Sequence, residues 1–134
     1  MSAVLMTEMI AGEIKTGDLG TTFGGGPLAC AALCATVDVI RDEGLIENVK
    51  VNSEYLFDAL RKIETVEEVR GLGYLIGIKF KGESAKPYQQ GLLERKIITG
   101  LADDTSVLRL LPPLTLRRPE IDLFLDALRQ IDHG

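Results

Sequence analysis

Helices packed on one mostly antiparallel sheet, an α/β (α+β) unit preceded by an N-terminal arm, is the fold class this sequence predicts. Three observations point there. Two long stretches, 27–42 and 45–63, carry apolar residues at helical spacing, whereas 66–71, 74–80 and 106–110 are short and rich in β-branched residues. Glycine and proline punctuate the chain at the joints between these stretches. The resulting order (helix, helix, strand, strand, helix, strand, strand, helix) lacks the strict strand–helix alternation of a parallel sheet. A length of 134 residues, with 46% hydrophobic and 26% charged residues, suits a single core and gives no sign of disorder.

The elements follow in order. Ser2 to Met6 is strand-like, and Thr7 to Ile14 reads as a short helix with Thr7 as N-cap and Glu8 in the first turn, where its charge suits the helix dipole. Lys15 to Gly26 is a loop dense in glycine and threonine. Pro27 opens a long helix at the one position where a missing N–H costs nothing, and Gly44 is its stop. Leu45, Val49, Leu56, Ala59, Leu60 and Ile63 form the stripe of the next helix, whose other face is solvated. Two strands flank the Gly71–Gly73 pair, Val66 to Gly71 and Tyr74 to Phe80. Lys86 to Arg95 returns to helix. Ile97 to Thr99 and Ser106 to Leu110 are strands, the second stopped by Pro112 and Pro113, which remove two successive backbone donors. Pro119 starts the last helix, with Ile121, Leu123, Phe124, Leu128 and Ile131 as its apolar stripe. The domain boundaries expected are an arm over 1–26 and a small α/β domain over 27–134.

A net charge of −5 and a pI near 4.9 argue against a general nucleic-acid surface. No stretch is apolar enough to span a membrane, and the first residues lack the pattern of a signal peptide, so the cytoplasm is the default compartment. Cys30 and Cys34 lie four apart in an apolar run and are expected to be buried, inert thiols. With His133 the only histidine, no metal site is expected.

Two motifs carry chemistry. Gly20-Thr21-Thr22-Phe23-Gly24-Gly25-Gly26 runs straight into the helix at Pro27. Glycines let backbone N–H groups approach an anion, two hydroxyls add donors, and a helix N-terminus lies behind. The same stretch also reads as a plain flexible turn, since it is neither a Walker A loop nor a dinucleotide fingerprint. The second motif is Arg109 in the strand Ser106-Val107-Leu108-Arg109-Leu110, before Leu111-Pro112-Pro113. A guanidinium on an apolar strand calls for an anion, and its planar fork matches a carboxylate through two parallel bonds. That carboxylate could belong to a ligand or to a local residue, Asp103 or Asp104.

The stretch GTTFGGGPLACAAL resembles a signature of the class III (subgroup II) pyridoxal-phosphate aminotransferases of the acetylornithine/ornithine type. LRLLPPLTL is similar to that family's arginine strand, EVRGLGYLIGI to a third block, and SAVLMT to the segment that follows its cofactor-bearing lysine. The resemblance implies the C-terminal portion of a fold-type I enzyme, with its small domain. It implies that Thr21 and Thr22 reach the phosphate of pyridoxal 5'-phosphate across a homodimer interface, and that Arg109 grips the substrate carboxylate. Arg70, in the third block, reads as structural. Gly26 departs from the family's usual asparagine, and Asp18 stands where many members have a His-Gly pair.

The resemblance also implies an absence. The lysine that bonds the cofactor, and the acid that pairs with the pyridine nitrogen, would precede Met1, and Lys15 is out of register for that role. The chain by itself is expected to be inactive. The parent enzyme would move an amino group from N-acetylornithine to 2-oxoglutarate in arginine biosynthesis. Ornithine, succinylornithine, 4-aminobutyrate or a lysine-pathway substrate are the alternative donors, and a stand-alone anion- or partner-binding module is the alternative from another class.

Overall fold

The computed structural model describes residues 4–15, 17–18, 20, 23–82 and 84–132. By contact the chain forms two compact units, Met1–Glu43 and Gly44–Gly134.

The first unit contains α1 (Glu8–Ala11) and α2 (Pro27–Asp42). The described part of the opening run, Val4 to Met6, is not a strand. The expected helix over 7–14 shrinks to four residues, and Thr7 makes no side-chain cap bond. Short helices need tertiary packing to persist, and α1 buries no residue. In α2, Pro27 is in the first turn as its fixed φ favours, and Gly26 is an extended N-cap. The helix ends at Asp42, ahead of Gly44 at φ 62. Its residues are exposed or nearly so and none is buried. Cys30 and Cys34 are therefore exposed, not buried as their apolar setting suggested. Their sequence neighbours are apolar, but within this unit no second layer covers them.

The second unit holds the core. Its elements are α3 (Leu45–Leu60), β1 (Val66–Leu72), β2 (Leu75–Phe80), α4 (Lys86–Glu94), β3 (Gly100–Leu101), β4 (Val107–Leu110) and α5 (Arg118–Asp132). The strands form one sheet in the order β1-β2-β4-β3, every neighbouring pair antiparallel. Alternation along the strands sorts the two faces. Ile76, Ile78, Phe80, Leu108 and Leu110 are buried against Leu56 and Leu60 of α3, Leu92 of α4, and Ile121, Leu125 and Leu128 of α5. Of the intervening positions on the opposite face, Glu68, Arg70, Leu75 and Arg109 are exposed, Gly77 and Lys79 are half-buried, and Val107 is buried. The sheet is thus covered by helices on one side.

Polar contacts tie the layers. Tyr55 Oη donates to Asp122 at 2.6 Å and thereby joins α3 to α5, while the Arg118 guanidinium lies 3.6 Å from the Tyr55 ring centroid. Phe80 and Tyr88 stack with centroids 3.7 Å apart. Asn48 Nδ2 donates to the carbonyls of Leu114 and Leu116 at 2.8 and 2.9 Å, fixing the segment that follows the double proline.

The strand expected at Ile97–Thr99 is displaced to Gly100–Leu101. The cause lies at the end of α4. Lys96 adopts φ 63, its N–H donates to the Leu93 carbonyl at 2.9 Å, and the Ile97 N–H donates to the Leu92 carbonyl at 2.9 Å. These two bonds are a Schellman motif, which commits the Ile97 amide to the helix end and delays strand pairing. The final helix begins at Arg118, one residue before the proline expected to open it.

Candidate functional site

Arg109 is the sequence-predicted site residue that the structure describes. It occupies the middle of β4, opposite Gly77 of β2 on one side and Gly100 of β3 on the other. Cross-strand partners share a face, so the arginine projects from the side of the sheet that carries no helix. Leu108 and Leu110, its neighbours in sequence, point into the core. Much of the apolar look of the strand therefore comes from its other face, and the exposed guanidinium is stable without a built-in anion. The local pairing weighed for it does not form. Asp104 instead accepts from the Ser106 N–H at 3.0 Å and the Ser106 Oγ at 2.7 Å. Among the described residues Arg109 has no ion-pair partner.

A groove of about 700 Å³ opens beside β3, lined by Arg109 and Gly100 with Lys96, Ile98, Leu111 and Phe124 among others. Its charged groups are Arg109, Lys96 and Glu120. Glu120 accepts from the Arg117 amide at 3.1 Å. Arg109 is one of the lining residues of a largely apolar groove, and a guanidinium there can orient a carboxylate whose hydrocarbon part lies on the aliphatic wall.

The rest of the open face is more polar. Lys79 pairs with Glu67 at 3.0 Å, which raises its pKa. Asp104 is held below the usual carboxylate value, chiefly by its two bonds from Ser106, with Lys79 and Arg70 adding favourable charge. Arg70 is exposed near the end of β1 without an ion-pair partner among the described residues. Sequence reasoning passed over Gly77 and Gly100, the two glycines that flank Arg109. A glycine inside a strand is the signal that marks such a close approach.

Thr21 and Thr22 lie outside the described residues. Around them, Phe23 is 86% exposed, Gly25 has φ 78, and no atom lies within 4 Å of a Cβ added at Gly20, Gly25 or Gly26. The loop feeds α2, whose first amides have no partner within the helix. Open glycine backbone ahead of a helix N-terminus is a donor set that fits a phosphate. Asp18, the departure from the family pattern, is engaged locally: its carboxylate accepts from the Lys15 N–H at 2.8 Å. No group of three or more His, Cys, Asp or Glu among the described residues could hold a metal ion. No helix there is long and apolar enough to cross a membrane.

Comparison with known proteins bears on these residues. The family model for aminotransferase class-III matches residues 1–131. The acetylornithine aminotransferase of Methanocaldococcus jannaschii is 38% identical over 135 residues, covering 98% of this chain and 33% of that protein. Ornithine aminotransferase 2 of Staphylococcus aureus is 38% identical over 133 residues, with the same two coverages of 98% and 33%. Among solved structures, an ornithine aminotransferase from Plasmodium yoelii superposes with a TM-score of 0.75 at 29% identity, over 90% of this chain and 33% of that one. The acetylornithine aminotransferase of Elizabethkingia anophelis gives 0.72 at 28% identity, over 88% and 33%. The chain thus spans about a third of the length of these relatives. It belongs to the class-III aminotransferases, a pyridoxal-phosphate-dependent family.

Proposed function

We propose that this chain is the C-terminal portion of a cytoplasmic, homodimeric aminotransferase that passes the amino group of N-acetylornithine to 2-oxoglutarate in arginine biosynthesis. In this reading residues 1–26 are an arm of the cofactor domain and 27–134 the small domain. The observation that carries it is Arg109: an arginine with no ion-pair partner among the described residues, lining an apolar groove, in a chain matched by the family over residues 1–131. Its fork binds the substrate carboxylate, and the aliphatic wall takes the carbon chain. Thr21 and Thr22 donate their hydroxyls across the dimer interface to the phosphate of pyridoxal 5'-phosphate on the neighbouring subunit, beside Gly25 and Gly26, where an added Cβ would meet no atom within 4 Å. When bound, that cofactor supplies the electron sink that amino-group transfer requires. In this reading the lysine that carries it is not among these residues, and the chain alone is expected to be inactive.

Ornithine as donor is the second reading, favoured by the S. aureus relative, which matches at the same 38% identity. The test starts from the native protein, captured from its source cells with an antibody to this chain. Its intact mass is measured, and its kcat/KM is compared for N-acetylornithine, ornithine, succinylornithine and 4-aminobutyrate with 2-oxoglutarate as acceptor. Preference for N-acetylornithine supports the first reading, and preference for ornithine moves it to the second. Failure to transaminate any of them overturns both. In the active protein, Arg109→Ala is expected to lower kcat/KM by about 10- to 100-fold, the loss of a charge-assisted pair.

A further inference from the structure

Gly100 has no conformational reason to be glycine. The second unit's glycines at positive φ are Gly44, Gly71 and Gly73. Gly100 has ordinary extended backbone in β3, where glycine weakens a strand because it adds entropy to the unfolded chain and has no side chain to pack. The backbone around it is anchored: the Thr99 carbonyl accepts from Gln89 Nε2 at 3.1 Å, and the Ala102 N–H donates to the Val107 carbonyl at 3.1 Å. A Cβ placed on Gly100 would stand 3.3 Å from Arg109 Nε, closer than ordinary van der Waals contact, and 3.4 Å from Nη2, at its limit. At Gly77, on the other flank of Arg109, an added Cβ would meet Val107 at 3.3 Å and Arg70 at 3.5 Å, with no Arg109 atom among its nearest neighbours. The arginine therefore leans over β3, toward the groove, and away from β2.

We propose that Gly100 is a positioning residue for Arg109: the missing side chain on the edge strand is the lane through which the guanidinium lies across β3 and presents its N–H fork to a carboxylate at the groove. This rests on the reading of Arg109 as a carboxylate binder and adds what aims it. Because the strand is tied on both sides of Gly100, an added methyl moves the flexible arginine rather than the backbone. The guanidinium then gives by a few tenths of an ångström, which misaligns the fork and costs one of two parallel bonds to a carboxylate.

The test uses the chain itself, with acetate as the carboxylate probe and the Arg109 Nε–Hε resonance as the readout, assigned by its loss in Arg109→Lys. In the parent chain this resonance is expected to show a cross-relaxation peak to the Gly100 α-protons and to shift on acetate titration. Gly100→Ala is expected to move the resonance before any acetate is added and to weaken acetate about three- to tenfold, as one hydrogen bond lost implies. Gly77→Ala should leave the Arg109 resonance in place. Should Gly100→Ala keep the parent resonance and the parent affinity, the positioning role is wrong. Should acetate fail to shift Arg109 in the parent chain, the carboxylate reading falls, while the resonance and the cross-peak still decide whether Gly100 sets the side chain's place. If Gly100→Ala did not fold, the double variant with Arg109→Ala decides: recovered folding means that the methyl collides with the arginine, and continued unfolding overturns the proposal.

Discussion

Arg109 and Asp104 are close in sequence, and opposite charges five positions apart invite pairing. The structure gives Asp104 to Ser106 instead, since a hydroxyl and an amide two residues away need no side-chain reach to find it. That choice leaves the arginine available and depresses the pKa of the aspartate. The sign of the linkage follows. A carboxyl whose folded pKa lies below its unfolded value stabilises the fold above the unfolded value, about 3.9, and loses that contribution as pH falls through the folded pKa. Ser106→Ala removes the larger cause. The Asp104 pKa, followed by carboxyl-carbon NMR, should rise toward the ordinary value. The variant's stability should then depend less on pH than the parent's below about pH 4. An unchanged titration would mean that the hydroxyl bond is not what holds the carboxylate charged.

At the scale of elements, the joint after α4 decides where the sheet can pair. Lys96 holds φ 63, a conformation that costs a non-glycine residue roughly 1–2 kcal/mol. The Schellman bonds from Lys96 and Ile97 oppose that cost and carry the chain from α4 toward β3. Lys96→Gly is expected to stabilise the second unit by about 0.5–1 kcal/mol in urea unfolding, the relief of strain less the added chain entropy of glycine. Gly71 is the opposite case. At φ 137, with an added Cβ only 1.9 Å from the Leu75 carbonyl oxygen, no side chain fits without opening the β1–β2 hairpin. The Gly71–Gly73 pair announced that turn in the sequence. Nothing in the local pattern announced the left-handed Lys96, because lysine there is held by the bonds around it and not by its own preference.

At the scale of the whole molecule, the core belongs to the second unit. Among the described residues, all nineteen buried hydrophobic ones, from Leu45 to Leu128, fall within it, whereas neither α1 nor α2 buries a residue. Helices without a buried face are marginal in water. A chain shortened to residues 44–134 should therefore keep the parent's denaturant midpoint, and in the full chain the α2 amides should exchange with deuterium far faster than those of β2. A clear loss of stability on shortening would show that α2 contributes to the core's free energy.

What the sequence determined by itself was local or periodic. Helical and strand spacing, the prolines at 27, 112 and 113, and the glycines at 44, 71 and 73 gave the order of elements, the antiparallel class and the arginine on its strand. These are readable because they depend on residues within a few positions of one another. The tertiary structure alone decided which sheet face the helices cover, that Cys30 and Cys34 are exposed, and that the edge strand begins at Gly100. It also decided that Gly100 lies beside Arg109. Such facts depend on which distant segments meet, and a one-dimensional pattern records that only through the company each residue keeps after folding.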